Sequence, residues 1–243
     1  MKKFWTKSVL AAALMCAGAA HADLVDFENV DTTLAPFAPL LAGGDVLFQG
    51  NYFVNTQDAN GVIGSQIGQL SNGTDPTSCL NGVCPAGNST NFLSVYNDGV
   101  VHFGRWDGVA TVFDSLSAAF LATPGFAGSA YLALEADRAD GTYAVYAYAL
   151  NTNGTFKTIT ASTPGGILLG GSGALDSRDV THLFAYSYYC PSGGGCSAFT
   201  SDKGQFALDD ITMDVPEPAA LALVIGALGA LGASRKIARR RSV

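Results

Sequence analysis

The chain predicts an all-β fold, an antiparallel β-sandwich. Three observations carry that reading. Short apolar or alternating runs recur through the middle of the chain, Gly, Asn, Asp, Ser and Pro supply turn chemistry at each gap, and helical periodicity is nearly absent. Strands of this kind cannot bury an apolar face singly, so roughly ten of them at this spacing stack as two sheets.

In chain order, Leu24 to Val30 predicts the first strand, and Asp45 to Asn55 one or two more. Gln57 to Asn91 is a long excursion rich in Gly, Asn and Ser. Phe92 to Gly104 predicts two strands around Asn97-Asp98-Gly99, a hairpin signal. Ala110 to Ala122 reads as one strand, or two with a bulge, in preference to a helical turn over Asp114 to Leu121. Ala130 to Ala136 and Tyr143 to Leu150 flank Ala139-Asp140-Gly141, a second hairpin signal. Thr155 to Thr160 follows the Asn151-Thr152-Asn153-Gly154 turn. Pro164 to Gly173 lacks the Gly-Lys-[Ser/Thr] ending of a phosphate loop and reads as a flexible loop. His182 to Tyr189 and Gln205 to Met213 close the domain.

The two ends stand outside this fold. Residues 1–22 read as a secretory signal peptide: Lys2, Lys3 and Lys7, then apolar Ser8 to Ala20, then the small-x-small site Ala20-His21-Ala22. The mature chain is expected to begin at Asp23. Residues 215–243 hold Pro216-Glu217-Pro218, an uncharged apolar or small run from Ala219 to Ala233, and Arg235, Lys236, Arg239, Arg240 and Arg241. The two prolines cannot continue a strand or helix, so they separate the domain from the apolar run. The run is short of the roughly 20 residues that span a bilayer, though Ser234 and the stems of Arg235 and Lys236 extend it. The basic cluster favours the cytoplasmic side.

This tripartite tail resembles the PEP-CTERM sorting signal. The resemblance implies recognition by an exosortase, a membrane anchor that is transient, and delivery to a surface rich in exopolysaccharide. A plain C-terminal membrane anchor is the other reading of the same residues.

Residues 23–214 form one domain-sized segment. Only Arg105, Arg138, Lys157, Arg178 and Lys203 oppose its nineteen acidic residues, a balance near −14. Such a surface argues against nucleic acid, because nothing neutralises phosphates. It suits an extracellular domain and could hold divalent cations. Export places Cys79, Cys84, Cys190 and Cys196 in an oxidising compartment. Spacing favours two local disulfides, Cys79 with Cys84 and Cys190 with Cys196; cross-pairing and a four-thiolate zinc site are the alternatives.

Asp26-Phe27-Glu28 at the front and Gln205-Phe206-Ala207-Leu208-Asp209-Asp210-Ile211 at the end resemble the terminal strands of jelly-roll modules. MAM domains and several carbohydrate-binding modules have such ends, although a MAM domain opens with a cysteine where Val25 stands here. Gln205-Phe206-x-x-Asp209 also resembles a Gln-Phe-x-x-Asp subgroup of PEP-CTERM proteins. The resemblance implies a jelly-roll, adjacent first and last strands, and a structural Ca²⁺ held by their acids. Calcium takes six to eight oxygens, and Asp26, Glu28, Asp209 and Asp210 are the candidate donors.

Two further groups bear on function. Leu134 to Asp140 resembles the Glu-x-Asp-x-x-Glu catalytic strand of jelly-roll β-glucanases, with Glu135 and Asp137 sharing a face as retaining chemistry requires. Asp140 stands where that pattern has Glu, and Asp140-Gly141 reads better as a turn. Tyr143, Tyr146, Tyr148, Tyr186, Tyr188 and Tyr189 cluster in two strands; sandwich packing accounts for most such tyrosines. Trp106, in the Gly104 to Gly108 loop, is the single best candidate for a glycan contact. His102 and His182 lie in no nucleophile or metal-ligand pattern. No catalytic set is legible, so the expectation is a non-enzymatic surface or matrix module, with a Glu135/Asp137 glycosidase and a purely structural surface protein as alternatives.

Overall fold

A computed structural model describes residues 22–79, 82–122, 126–177, 179–200 and 203–214. The signal peptide and the sorting tail, with Cys16 and Pro216-Glu217-Pro218, lie outside the described residues, apart from Ala22. The described residues are all-β, with one 3₁₀ turn at Pro76–Ser78. Among them no helix is long and apolar enough to cross a membrane.

Among the described residues fifteen strands build two antiparallel sheets. The first sheet runs β12 (Lys157–Thr160), β9 (Val112–Phe120), β15 (Phe206–Asp214), β7 (Asn91–Val95), β6 (Gln66–Asn72), β3 (Leu40–Ala42), with β1 (Ala22–Val25) also on β15. The second runs β13 (Ile167–Gly171), β11 (Tyr143–Leu150), β10 (Gly128–Arg138), β14 (Val180–Pro191), β8 (Val100–Arg105), β5 (Tyr52–Gln57), β4 (Val46–Gln49), β2 (Asp31–Leu34). Alternate residues of both sheets meet in one core, whose largest fully buried members include Tyr52, Phe103, Phe113, Phe120 and Phe206. The Tyr52 hydroxyl, deep in this layer, donates to the Met213 carbonyl at 3.0 Å, so its burial leaves no orphan.

Of the expected first strand, Leu24 to Val30, only Leu24 and Val25 are strand. β1 stops at Val25, Phe27 sits at φ 57°, and β2 starts at Asp31 in the other sheet. The cause is local. The Asp26 carboxylate accepts the Glu28 N–H at 3.0 Å and the Gln49 side-chain amide at 2.5 Å, which turns the chain toward the second sheet.

Asn97-Asp98-Gly99 forms a tight turn, but not the expected hairpin. β7 pairs with β6 and β15, whereas β8 pairs with β5 and β14. Asn97 and Asp98 both have positive φ. The buried Asp98 carboxylate accepts the Gly204 N–H at 2.8 Å, and this ties the crossing to the entry of β15. A Cβ on Gly99 would sit 2.9 Å from the Val95 side chain, which explains a glycine there. Ala139 to Thr142 is the expected hairpin, with β10 and β11 in register from Ala130↔Leu150 to Asp137↔Tyr143.

Val112–Phe120 is one strand, without a helical turn at 114–121. The expected flexible loop over Pro164 to Gly173 instead contains β13, paired with β11. Flanking glycines hid three apolar residues, Ile167 to Leu169, that complete the sheet edge. β3 and β6 were also not anticipated, β6 because its Gln, Gly and Asn content reads as loop. Arg138 is buried and pins the segment after β13. Its guanidinium donates to Ser177 Oγ at 2.7 Å, the Ser172 carbonyl at 2.8 Å and the Ala174 carbonyl at 2.9 Å.

Both expected disulfides form locally, Cys79–Cys84 and Cys190–Cys196. The first packs with Phe92, Tyr96, Leu121 and Phe156 over the outer side of the first sheet. Closing so short a loop stabilises by about 2 kcal/mol in the chain-entropy account. A Cys79→Ala/Cys84→Ala chain is therefore expected to unfold at lower denaturant, as measured by urea titration.

Candidate functional site

The two outer faces of the sandwich differ. On the first sheet, the excursion after β6 folds back over the strands. Ala86 bridges Thr155, and Cys79, Cys84 and Phe156 pack on Phe92, Ala119 and Ala207, so this face is largely covered.

The outer face of the second sheet is assembled by register. Strand alternation sends Leu183 and Ala185 of β14 into the core and leaves His182, Phe184, Tyr186 and Tyr188 on the other side. Across from these, β10 presents Asp137, Glu135, Ala133 and Tyr131. On the next strands, β8 presents Gly104 and His102, and β5 presents Phe53 and Asn55. A Cβ at Gly104 would lie 2.8 Å from the Phe53 ring, so the glycine is the gap into which that ring leans. The result is a band of aromatic rings crossing four strands, with two carboxylates set in it.

Ring geometry holds this band in place. His102 stacks on Phe184 with centroids 4.4 Å apart and meets Phe53 edge-on at 4.9 Å. Tyr186 lies 5.7 Å from Tyr188 and 5.1 Å from Phe199, a residue of the loop after β14. Tyr131, Tyr188, Ala147, Ile167, Leu169 and the Cys190–Cys196 bridge line an apolar hollow of about 210 Å³ at one end. The second disulfide is thus a wall of the site, a role its spacing did not disclose.

Glu135 is tuned by this setting. Burial, then the neighbouring Asp137, raises Glu135 above the usual carboxylate range, and the Tyr186 hydroxyl opposes this by donating to Glu135 Oε2 at 3.4 Å. Burial also pushes the Tyr186 hydroxyl up, so it remains a donor at neutral pH. Asp140 is held in the turn, accepting the Thr142 N–H at 2.8 Å and its hydroxyl at 2.7 Å. The third carboxyl of a glucanase-type strand is therefore turn chemistry here.

Of the six clustered tyrosines, alternation divides the group. Tyr148 is core, Tyr146 and Tyr189 pack inward, and Tyr143, Tyr186 and Tyr188 face outward. Phe53, Tyr131, Phe184 and the two histidines were missed as members of a shared face. Alternation within Val180–Pro191 was the available signal, but which strands flank β14 was not.

Trp106 is 64% exposed in the turn after β8, and the adjacent Arg105 and Asp107 pair at 2.5 Å. Trp106→Ala is expected to change stability by less than about 0.5 kcal/mol, the usual range for an exposed side chain. Thermal unfolding checks this, and any accompanying loss of glycan affinity extends the binding surface to the turn.

The candidate calcium donors are only partly brought together. β15 exchanges its partner β7 for β1 at Asp209–Asp210, where the register shifts and Asp210 takes φ 49°. Asp209 is fully buried and accepts Asn88 Nδ2 at 2.5 Å, Thr90 Oγ1 at 3.3 Å and the Asp210 N–H at 2.8 Å. Burial pushes its carboxyl up to about 7. Glu28 reaches the same corner through the Asn91 N–H at 2.6 Å. Asp26 does not, because Gln49 draws it toward the second sheet. Among the described residues no three Asp, Glu, His or Cys side chains form a metal-holding group. A small hollow lined by Asn88, Ser89, Thr90, Ser117 and Asp210 nevertheless supplies hard oxygen donors beside Asp209.

No protein-family model matches the chain, and no curated protein matches it. Among solved structures it is similar to carbohydrate-binding modules. A family 11 module from a cellulosomal cellulase of Clostridium thermocellum is 13% identical, over 82% of this chain and 96% of that one, with a TM-score of 0.32. A family 22 module from the same organism is 14% identical, over 79% and 95%, with a TM-score of 0.29. A xylan-binding family 22 module from Paenibacillus barcinonensis is 14% identical, over 83% and 100%, with a TM-score of 0.30.

Proposed function

We propose that this chain is an exported, non-enzymatic glycan-binding module of an exopolysaccharide-rich cell surface. One observation carries the reading: the aromatic band on the outer face of the second sheet, with Tyr131, Tyr188 and Phe184 beside Glu135 and Asp137. Flat rings offer stacking surfaces for sugars, and carboxylates accept from sugar hydroxyls. A face bearing two carboxylates on an acidic domain disfavours uronate-rich polymers and favours neutral ones.

Sorting is the second part of the proposal. The Pro216-Glu217-Pro218 tail directs the chain to an exosortase-type enzyme, with the apolar run as a temporary membrane anchor. Mass spectrometry of the protein released by an exosortase-bearing host should show loss of the tail. Replacement of the three residues by alanine should leave the chain in the membrane fraction; release of an intact alanine variant would contradict the sorting role.

A structural calcium ion at the Asp209 corner is the third part. Melting in saturating EDTA should occur several degrees below melting in millimolar calcium, and identical melts would rule the ion out. The shared face of Glu135 and Asp137 favours one alternative, a glycosidase. It requires turnover of a β-glucan panel that Glu135→Gln abolishes.

A further inference from the structure

The chain carries His102 and His182 as its only histidines beyond the targeting segment. They lie 80 residues apart, on β8 and β14. Pairing of those strands sets His182 opposite Gly104 and His102 opposite Phe184, so the rings are diagonal neighbours on one face. His102 Nε2 and His182 Nδ1 are 2.9 Å apart, with ring planes tilted by 54°.

We infer that His102 and His182 form a two-nitrogen site for a divalent transition-metal ion, Cu²⁺ or Zn²⁺, on the aromatic face. The geometry fits. Two nitrogens about 2.0–2.1 Å from one ion at roughly a right angle, the tetragonal arrangement of Cu²⁺, are separated by about 2.9 Å, whereas a tetrahedral Zn²⁺ spreads them to about 3.3 Å and needs a small ring movement. The His102 ring is fixed by Phe184 and Phe53, while His182 is exposed and leaves the remaining positions to water. Asp137 stands directly across from His182 in register, as a neighbouring anion. Imidazole selects transition ions over calcium, so this site is chemically separate from the Asp209 corner. A ligating imidazole must present a lone pair. In the metal-free pair one nitrogen donates to the other. Entry of the ion moves that ring's proton to its second nitrogen, which frees the lone pair for the metal.

The test uses the full chain in detergent, stripped with EDTA and dialysed. Titration calorimetry with CuCl₂ and ZnCl₂, and the nitrogen hyperfine pattern of bound Cu²⁺, read the site directly. Binding near one equivalent with two-nitrogen hyperfine is expected, weakened at least about 100-fold in His182→Ala, since loss of a ligand exceeds the loss of an outer-shell partner. His182 is exposed, so that variant should keep its fold; His102→Gln, checked by circular dichroism, should weaken binding likewise. Absence of binding at millimolar metal, or equal affinity in a His102→Gln/His182→Gln chain, overturns the proposal. Neither result depends on whether a glycan binds.

Discussion

Between pH 4 and pH 8, in EDTA, the stability of the chain relative to Asp209→Asn is expected to fall by on the order of 2–4 kcal/mol. The cause is the fully buried Asp209, whose carboxyl is raised to about 7 by burial. An acid whose pKa is higher folded than unfolded binds its proton more tightly in the native state. Its contribution is fully present below about 3.9, the unfolded value, and is lost as pH rises through the folded one. The amide variant keeps the size of the side chain and carries no such charge. Its difference from the parent isolates Asp209 from His102, which is depressed by burial and contributes with the opposite sign in both chains. Urea unfolding at several pH values checks the slope. Calcium should reverse the parent's loss at pH 8 by stabilising the carboxylate, and should leave the variant unmoved.

Tyr188→Ala is expected to weaken glycan binding by about 2 kcal/mol or more, near 30-fold, and Tyr131→Ala/Tyr188→Ala to abolish it. The two tyrosines face each other in the β10–β14 register and line the hollow closed by the Cys190–Cys196 bridge. Both are only partly buried, so the loss should appear in affinity and leave the fold in place. Tyr148→Ala provides the contrast. That ring is 1% exposed in the core, and its removal should cost about 3–5 kcal/mol of stability. Affinity electrophoresis in gels containing β-glucan or xylan separates the two effects.

Local chemistry was legible in the sequence, and so was the pairing of the first strand with the last, β1 on β15; the other pairings between distant strands were not. The Ala139-Asp140-Gly141 turn was readable because its flanking strands share a sheet. Asn97-Asp98-Gly99 has equal turn chemistry, yet its strands part because β7 is claimed by β15 more than one hundred residues later. Both disulfides followed from spacing, since each closes a short loop. The importance of Asp209 was visible as an acid in the last strand. Its partners Asn88 and Thr90, 121 and 119 residues away, were not. The aromatic face was half visible: alternation in Val180–Pro191 separates its tyrosines, but Phe53 and His102 join them only through a non-local sheet order.

The most direct test of the central proposal is a screen of neutral polysaccharides against the full chain, with calcium and with EDTA, beside Tyr131→Ala/Tyr188→Ala. At least one neutral glycan is expected to bind the parent, and the double variant, equally folded, is expected not to bind it. Binding that survives in the variant would place the site elsewhere. A folded parent that binds none of them at millimolar ligand would contradict the glycan-binding role.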